Sequence, residues 1–163
     1  MYHTNKVVSH VCQDCADEQK NLVTARCVAF EDQPYRMLIC GSRSFANASY
    51  MRDKLCSIFP TTILEKTTII SGGAYGAGIC AELFAHHIGC PLIVIKAGWD
   101  LYGRSAGYIR NAYMITTCCN APERGIVVAF WDGKSRGTKH TISLAEAKDL
   151  ELHVIRVDNH GLL

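Results

Sequence analysis

A chain of 163 residues with 48% hydrophobic and 20% charged residues has the length and composition of one globular domain able to bury a core without disulfide or metal staples. A net charge of +2 gives no general affinity for polyanions and speaks against nucleic acid as a partner. Apolar runs such as Ile126 to Trp131 are too short to span a bilayer, and no basic segment followed by an apolar one begins the chain, so a cytoplasmic protein is expected.

Nine cysteines, an odd number, are scattered through the apparent strands and helices, a pattern that suits reduced thiols better than a disulfide framework. Residues 1–36 are acidic on balance and read as an N-terminal extension, partly ordered, ahead of a domain at 37–163. The extension holds Cys12 and Cys15. One Cys-x-x-Cys pair is half of a zinc site, so free thiols are the first expectation and zinc the lesser one. No cofactor is implied.

From Met37 onward strands and helices alternate. Met37 to Cys40 reads as a strand, followed by a helix capped by Asn47 or Ser49, with Met51, Leu55, Ile58 and Phe59 at helical spacing and Pro60 beyond its end. Thr67 to Ile70 is a β-branched strand buried on both faces. It empties into the glycine turn of Ser71, Gly72, Gly73, Ala74, Tyr75 and Gly76, then a helix to Ile88 with Ile79, Leu83, Phe84 and His87 or Ile88 as its apolar face. Bare N–H groups at such a turn suit a phosphate, although glycines also serve tight strand-to-helix packing. Leu92 to Ile95 is the third strand, and a long structureless connection at 96–107 leads to a helix from Ala106 to Thr117. Ile126 to Phe130 is the fourth strand, a helix runs to Leu150, and Leu152 to Val157 closes the sheet. This alternation predicts an α/β, Rossmann-like three-layer fold with a mainly parallel sheet of about five strands.

In that fold the strand-to-helix loops share the carboxyl edge of the sheet, where ligands bind. Those loops carry Arg43, Lys96, Arg104, Arg110, Lys134, Arg136 and Lys139 against Asp100 and Asp132. An anionic ligand explains the excess, and a solvated basic rim is the alternative. Ser42, Ser71, Ser135 and Thr138 offer hydroxyls to phosphate oxygens, while Tyr75, Trp99 and Trp131 offer rings for a base.

Four motifs in order carry a family resemblance. They are Gly41-Ser42-Arg43 after the first strand and Gly72-Gly73-Ala74 with Gly76-Ala77 after the second. Trp99, Gly103-Arg104, Ala106-Gly107 and Arg110-Asn111 follow the third, and Trp131-Asp132-Gly133, Ser135 and Gly137-Thr138 follow the fourth. From Met37 to Val157 the chain resembles the YspA-like, cpYpsA-related branch of the SLOG superfamily, which also includes the LOG phosphoribohydrolases and the DprA/SMF proteins. The resemblance implies a nucleotide-derived ligand and a homo-oligomer, dimer or tetramer. Aromatic surface on the helices of Phe84, His86 and His87 and of Tyr108 and Tyr113 is available to a partner subunit.

Two departures bear on chemistry. Where LOG enzymes carry a catalytic glutamate after a glycine-threonine pair, Gly137-Thr138 is followed by Lys139, His140 and Thr141. Where YspA-like relatives commonly carry aspartate, Gly78 stands. The remaining acids are Asp132, the better candidate for a base or nucleophile, and Asp100; Glu82 is expected to face solvent or a partner. Asp132 in an Asp-Gly turn has the plainer role of bonding its own backbone, and His140 is either a proton carrier or a surface residue. The leading expectation is a sensor or sequestering protein for a signalling nucleotide or an ADP-ribose-like ligand. An N-glycosidic or phosphoribosyl hydrolase comes second, and single-stranded DNA binding third.

Overall fold

The computed structural model describes residues 33–121 and 123–158, with the backbone of the short strands at 7–8 and 25–28. The Cys12 and Cys15 pair lies outside the described residues. Five parallel strands form the body of the sheet: β3 (Tyr35–Gly41), β4 (Thr67–Ser71), β5 (Leu92–Ile95), β6 (Arg124–Trp131) and β7 (Glu151–Arg156). Their order is β5-β4-β3-β6-β7, the Rossmann arrangement in which the chain moves outward to one side and then returns to extend the other. Two short strands extend the β5 edge, β2 (Ala25–Val28) pairing antiparallel with β5 and β1 (Val7–Val8) antiparallel with β2, so part of the N-terminal extension belongs to the sheet.

Side chains alternate across the strands and build two cores. Met37, Ile39, Ile69, Ile126, Val128 and Phe130 face α1 (Ala48–Ile58) and α3 (Ala77–Ile88). Leu38, Ile70, Ile93, Ile95 and Val127 face the opposite layer, built from α5 (Ala106–Cys119) and α6 (Arg136–Ala147). This period-two burial on both faces explains the apolar runs of β3 and β6 and the wholly buried, largely β-branched β4. Asn47 caps α1 by accepting the Tyr50 N–H at 2.9 Å. A one-turn helix, α2 (Thr61–Leu64), follows Pro60, whose fixed φ suits a helix start.

Three expectations change. In α3 the buried face is Ala77, Cys80, Ala81, Phe84 and Ala85, whereas Ile79 and Leu83 are 41% and 54% exposed. Small residues let the helix lie close to the sheet, which turns the larger aliphatic pair outward and takes Phe84 away from any partner surface. The 96–107 connection is ordered as α4 (Trp99–Tyr102) and a 3-10 turn (Gly103–Ser105). The last long helix ends at Ala147, three residues short of Leu150.

Candidate functional site

The switch in strand order falls between β3 and β6, and the loops leaving their carboxyl ends bound a cavity of about 510 Å³ together with those leaving β4 and β5. A crevice at such a point is where ligands bind in this architecture, and the volume lies within the range of small-molecule sites.

Glycines bring the first three walls together. A side chain at Gly41 would overlap the Phe130 carbonyl and the Ala77 methyl, so glycine there lets β3, β6 and α3 converge. Gly76 has φ +79° and packs against the Ser42 and Arg43 carbonyls, while Gly73 has φ +61°. Ser71 secures the turn between them: its Oγ accepts the Gly73 N–H at 3.1 Å and lies 3.1 Å from the Gly78 carbonyl and 3.2 Å from Glu82 Oε1. Glu82 is thus half-buried against the glycine turn, contrary to the solvent-facing or partner-facing role expected of it.

The hydroxyls expected to meet phosphate are largely engaged elsewhere. Ser42 is fully buried; its N–H donates to the Phe130 carbonyl at 3.0 Å and its Oγ accepts the Asp132 N–H at 3.1 Å. Thr138 donates through Oγ1 to Ser135 Oγ at 3.0 Å, within the N-cap of α6. At the start of α3 the Ala77 N–H donates to the Ser42 carbonyl and the Ile79 N–H to the Ala74 carbonyl, which consumes donors that a phosphate would have used.

The cationic centre lies on α5. Arg110 donates from Nη1 to the Gly72 carbonyl and from Nε to Asn111 Oδ1 at 3.0 Å. A Cβ at Gly72 would overlap this guanidinium, so the glycine exists as much for Arg110 as for the turn. Burial pulls the Arg110 pKa down, Cys40 acts in the opposite direction and the like charge of Arg43 adds to the lowering. An arginine nevertheless stays protonated, and its desolvated charge favours an anion. Burial pushes the Cys40 thiol up to about 12 despite Arg110, leaving it a neutral part of the wall. Among the described residues no ion pair reaches Arg110.

Asp132 closes the site from the β6 side. Its Oδ1 accepts the backbone N–H groups of Lys134 and Ser135, both at 2.8 Å. Burial pushes its pKa up, but these bonds and the Ser42 hydroxyl outweigh that and hold the carboxyl below its usual range. Trp131 turns from the cavity: its Nε1–H donates to the Ser135 carbonyl at 3.1 Å and Arg156 stacks over its ring. Gly133 has φ +80°, and a side chain there would strike that same arginine. On α6, His140 packs edge-on against Tyr108 at 4.7 Å between ring centroids, and burial lowers its pKa.

Of the expected ligand contacts, Gly41, Arg43, Gly72, Ala74, Trp99, Arg104, Arg110, Asn111, Asp132, Ser135, Gly137 and Thr138 line the cavity together. Ser42, Ser71, Gly73, Gly76 and Trp131 stand behind it as supports, and Tyr75, 83% exposed, and Asp100 lie off its wall. Sequence reasoning missed Ile39, Cys40, Ser44, Gly78, Gly107, Tyr108, Met114 and Thr141 as wall residues. Helical spacing was the available signal: Gly107, Arg110, Asn111 and Met114 share one face of α5, and Thr138 and Thr141 one face of α6.

Strand order and layering define a Rossmann-like α/β fold. The chain is similar to DNA processing protein A from Helicobacter pylori, described for its single-stranded DNA binding mode, with a TM-score of 0.54 and 17% identity over 91% of this chain and 79% of that one. No protein-family model and no curated relative matches the sequence. The expectation against nucleic acid fails before this likeness, because a protein of the same fold binds single-stranded DNA. A whole-chain charge of +2 says little about one edge, where three arginines and one carboxylate line a cavity. No helix among the described residues is long and apolar enough to cross a membrane.

Proposed function

We propose that the cavity binds a phosphate-bearing nucleotide unit and holds it uncleaved. The observation that carries this reading is Arg110: a desolvated guanidinium set in the cavity wall, pinned by Gly72 and Asn111, with Arg43 and Arg104 lining the same cavity. An anion offsets the cost of that charge, and Trp99 and Tyr108 give a sugar or base an apolar surface. Hydrolysis has less support, since Asp132 uses Oδ1 to shape its own turn and Asp100 lies off the wall. A sensor or sequestering role follows from holding without cleaving.

A second reading has specific support: the nucleotide belongs to a single DNA strand. The likeness to DNA processing protein A favours it, as do the exposed Arg43, Arg104, Tyr75 and Trp99, which give a strand both charge and stacking surface. Calorimetry of the full chain with AMP, ADP-ribose and an oligothymidylate, followed by chromatography of the recovered ligand, separates the readings. The primary one expects saturable binding of a mononucleotide recovered intact. Binding confined to the oligonucleotide, with steep salt dependence, moves the function to the second. Recovery of a cleaved product overturns both.

A further inference from the structure

Asn111 is a polar side chain only 4% exposed, on the cavity face of α5, and its hydrogen bonds run in two directions. Oδ1 accepts the Arg110 Nε–H at 3.0 Å, while Nδ2 donates to the Gly137 carbonyl at 3.2 Å and lies 3.5 Å from His140 Nδ1. The orientation of the amide follows from chemistry. A guanidinium only donates and a main-chain carbonyl only accepts, so the oxygen must face Arg110 and the nitrogen Gly137.

We propose that Asn111 is the positioning residue of the site: it fixes the Arg110 guanidinium and ties it to the first turn of α6. This rests on the nucleotide reading of the cavity. Arg110 is held at Nη1 by the Gly72 carbonyl and at Nε by Asn111, two points on one planar group. Its second terminal nitrogen, Nη2, makes no hydrogen bond among the described residues. Two-point fixing removes the rotamer freedom that an arginine otherwise loses on meeting an anion. Through Gly137 the same amide sets the distance between this cation and the 132–138 loop, so both sides of the cavity present themselves as one unit.

The test uses nitrogen-15-labelled full-length protein, with the Arg110 Nε–Hε resonance assigned by its loss in Arg110→Lys and binding followed by titration with AMP and with inorganic phosphate. Asn111→Leu, which keeps the branched four-atom side-chain skeleton, removes every hydrogen bond of the amide. The expected result is a rapidly exchanging or absent Nε–Hε resonance and a fall of about tenfold in affinity for both probes, the weight of one charge-assisted hydrogen bond. Asn111→Asp, which serves if the leucine variant does not fold, keeps the acceptor for Arg110 but loses the donor to Gly137 and partly neutralises the guanidinium. It is expected to retain the protected resonance and to bind both probes more weakly.

A resonance in Asn111→Leu exchanging as slowly as in the wild type overturns the proposal, as does wild-type affinity in Asn111→Asp. If the wild type binds neither probe, or binds both as Arg110→Lys does, the nucleotide reading falls. The resonance comparison then still decides the role of Asn111.

Discussion

The sharpest prediction concerns Gly72→Ala. Gly72 does not have the left-handed φ of Gly73 or Gly76, so alanine is compatible with its backbone. The added methyl would sit 2.9 Å from Arg110 Cζ and closer still to Nη1, a separation that real side chains do not tolerate. The guanidinium is the far end of a flexible side chain and gives way before the sheet does. Thermal stability should therefore change little, while the bond from Nη1 to the Gly72 carbonyl and the alignment toward the ligand are lost. A hydrogen bond to a charged group is worth about 1.5–3 kcal/mol, which corresponds to about 10- to 150-fold in affinity. Calorimetric titration of wild type and Gly72→Ala with AMP, alongside thermal melts, reads both quantities. Undiminished affinity at an unchanged melting temperature would refute the reasoning, because the ligand would then not depend on where Arg110 points.

Two further outcomes follow from the supports behind the wall. Ser71→Ala leaves the Gly73 N–H without its acceptor and removes the hydroxyl beside the Gly78 carbonyl, in a buried position, and should destabilise the fold by about 1–3 kcal/mol in urea denaturation. Asp132 has a folded-state pKa below its unfolded one, so its contribution to stability is present above the unfolded value of about 4 and is lost as pH falls through the folded value. Asp132→Asn should flatten the acid limb of a stability-versus-pH curve, and an unchanged limb would place the acid sensitivity elsewhere.

The strand-helix alternation was legible because each central strand is buried on both faces and most connections carry glycine or proline. Helix orientation was harder to read. Ile79 and Leu83 fit a helical stripe as well as Ala77, Ala81 and Ala85 do, and close approach to the sheet chose the small residues. The two N-terminal strands are harder to read because β1 pairs only with β2, and β2 with the distant β5, a long-range event that leaves little local pattern. In the site, the sequence places residue types but not what each side chain bonds. The spacing brings Arg43, Arg104 and Arg110 to one cavity as expected, but a hydroxyl serves a ligand or a neighbouring loop depending on which comes within about 3 Å, and spacing does not contain that information. Ser42 and Ser71 suit a phosphate by residue type, and both hold main chain instead.

Ser42 carries a consequence of its own. Its N–H reaches β6, its carbonyl the start of α3, and its hydroxyl the Asp132 turn, so one residue sutures three of the four segments around the cavity. None of these bonds involves the ligand. The entropy of arranging the walls is therefore met when the chain folds, and a ligand of the proposed kind would meet a rim already in register. A mould of this kind would reject a wrong shape at once, and the selectivity of the proposed site would then reside in the main chain as much as in its arginines.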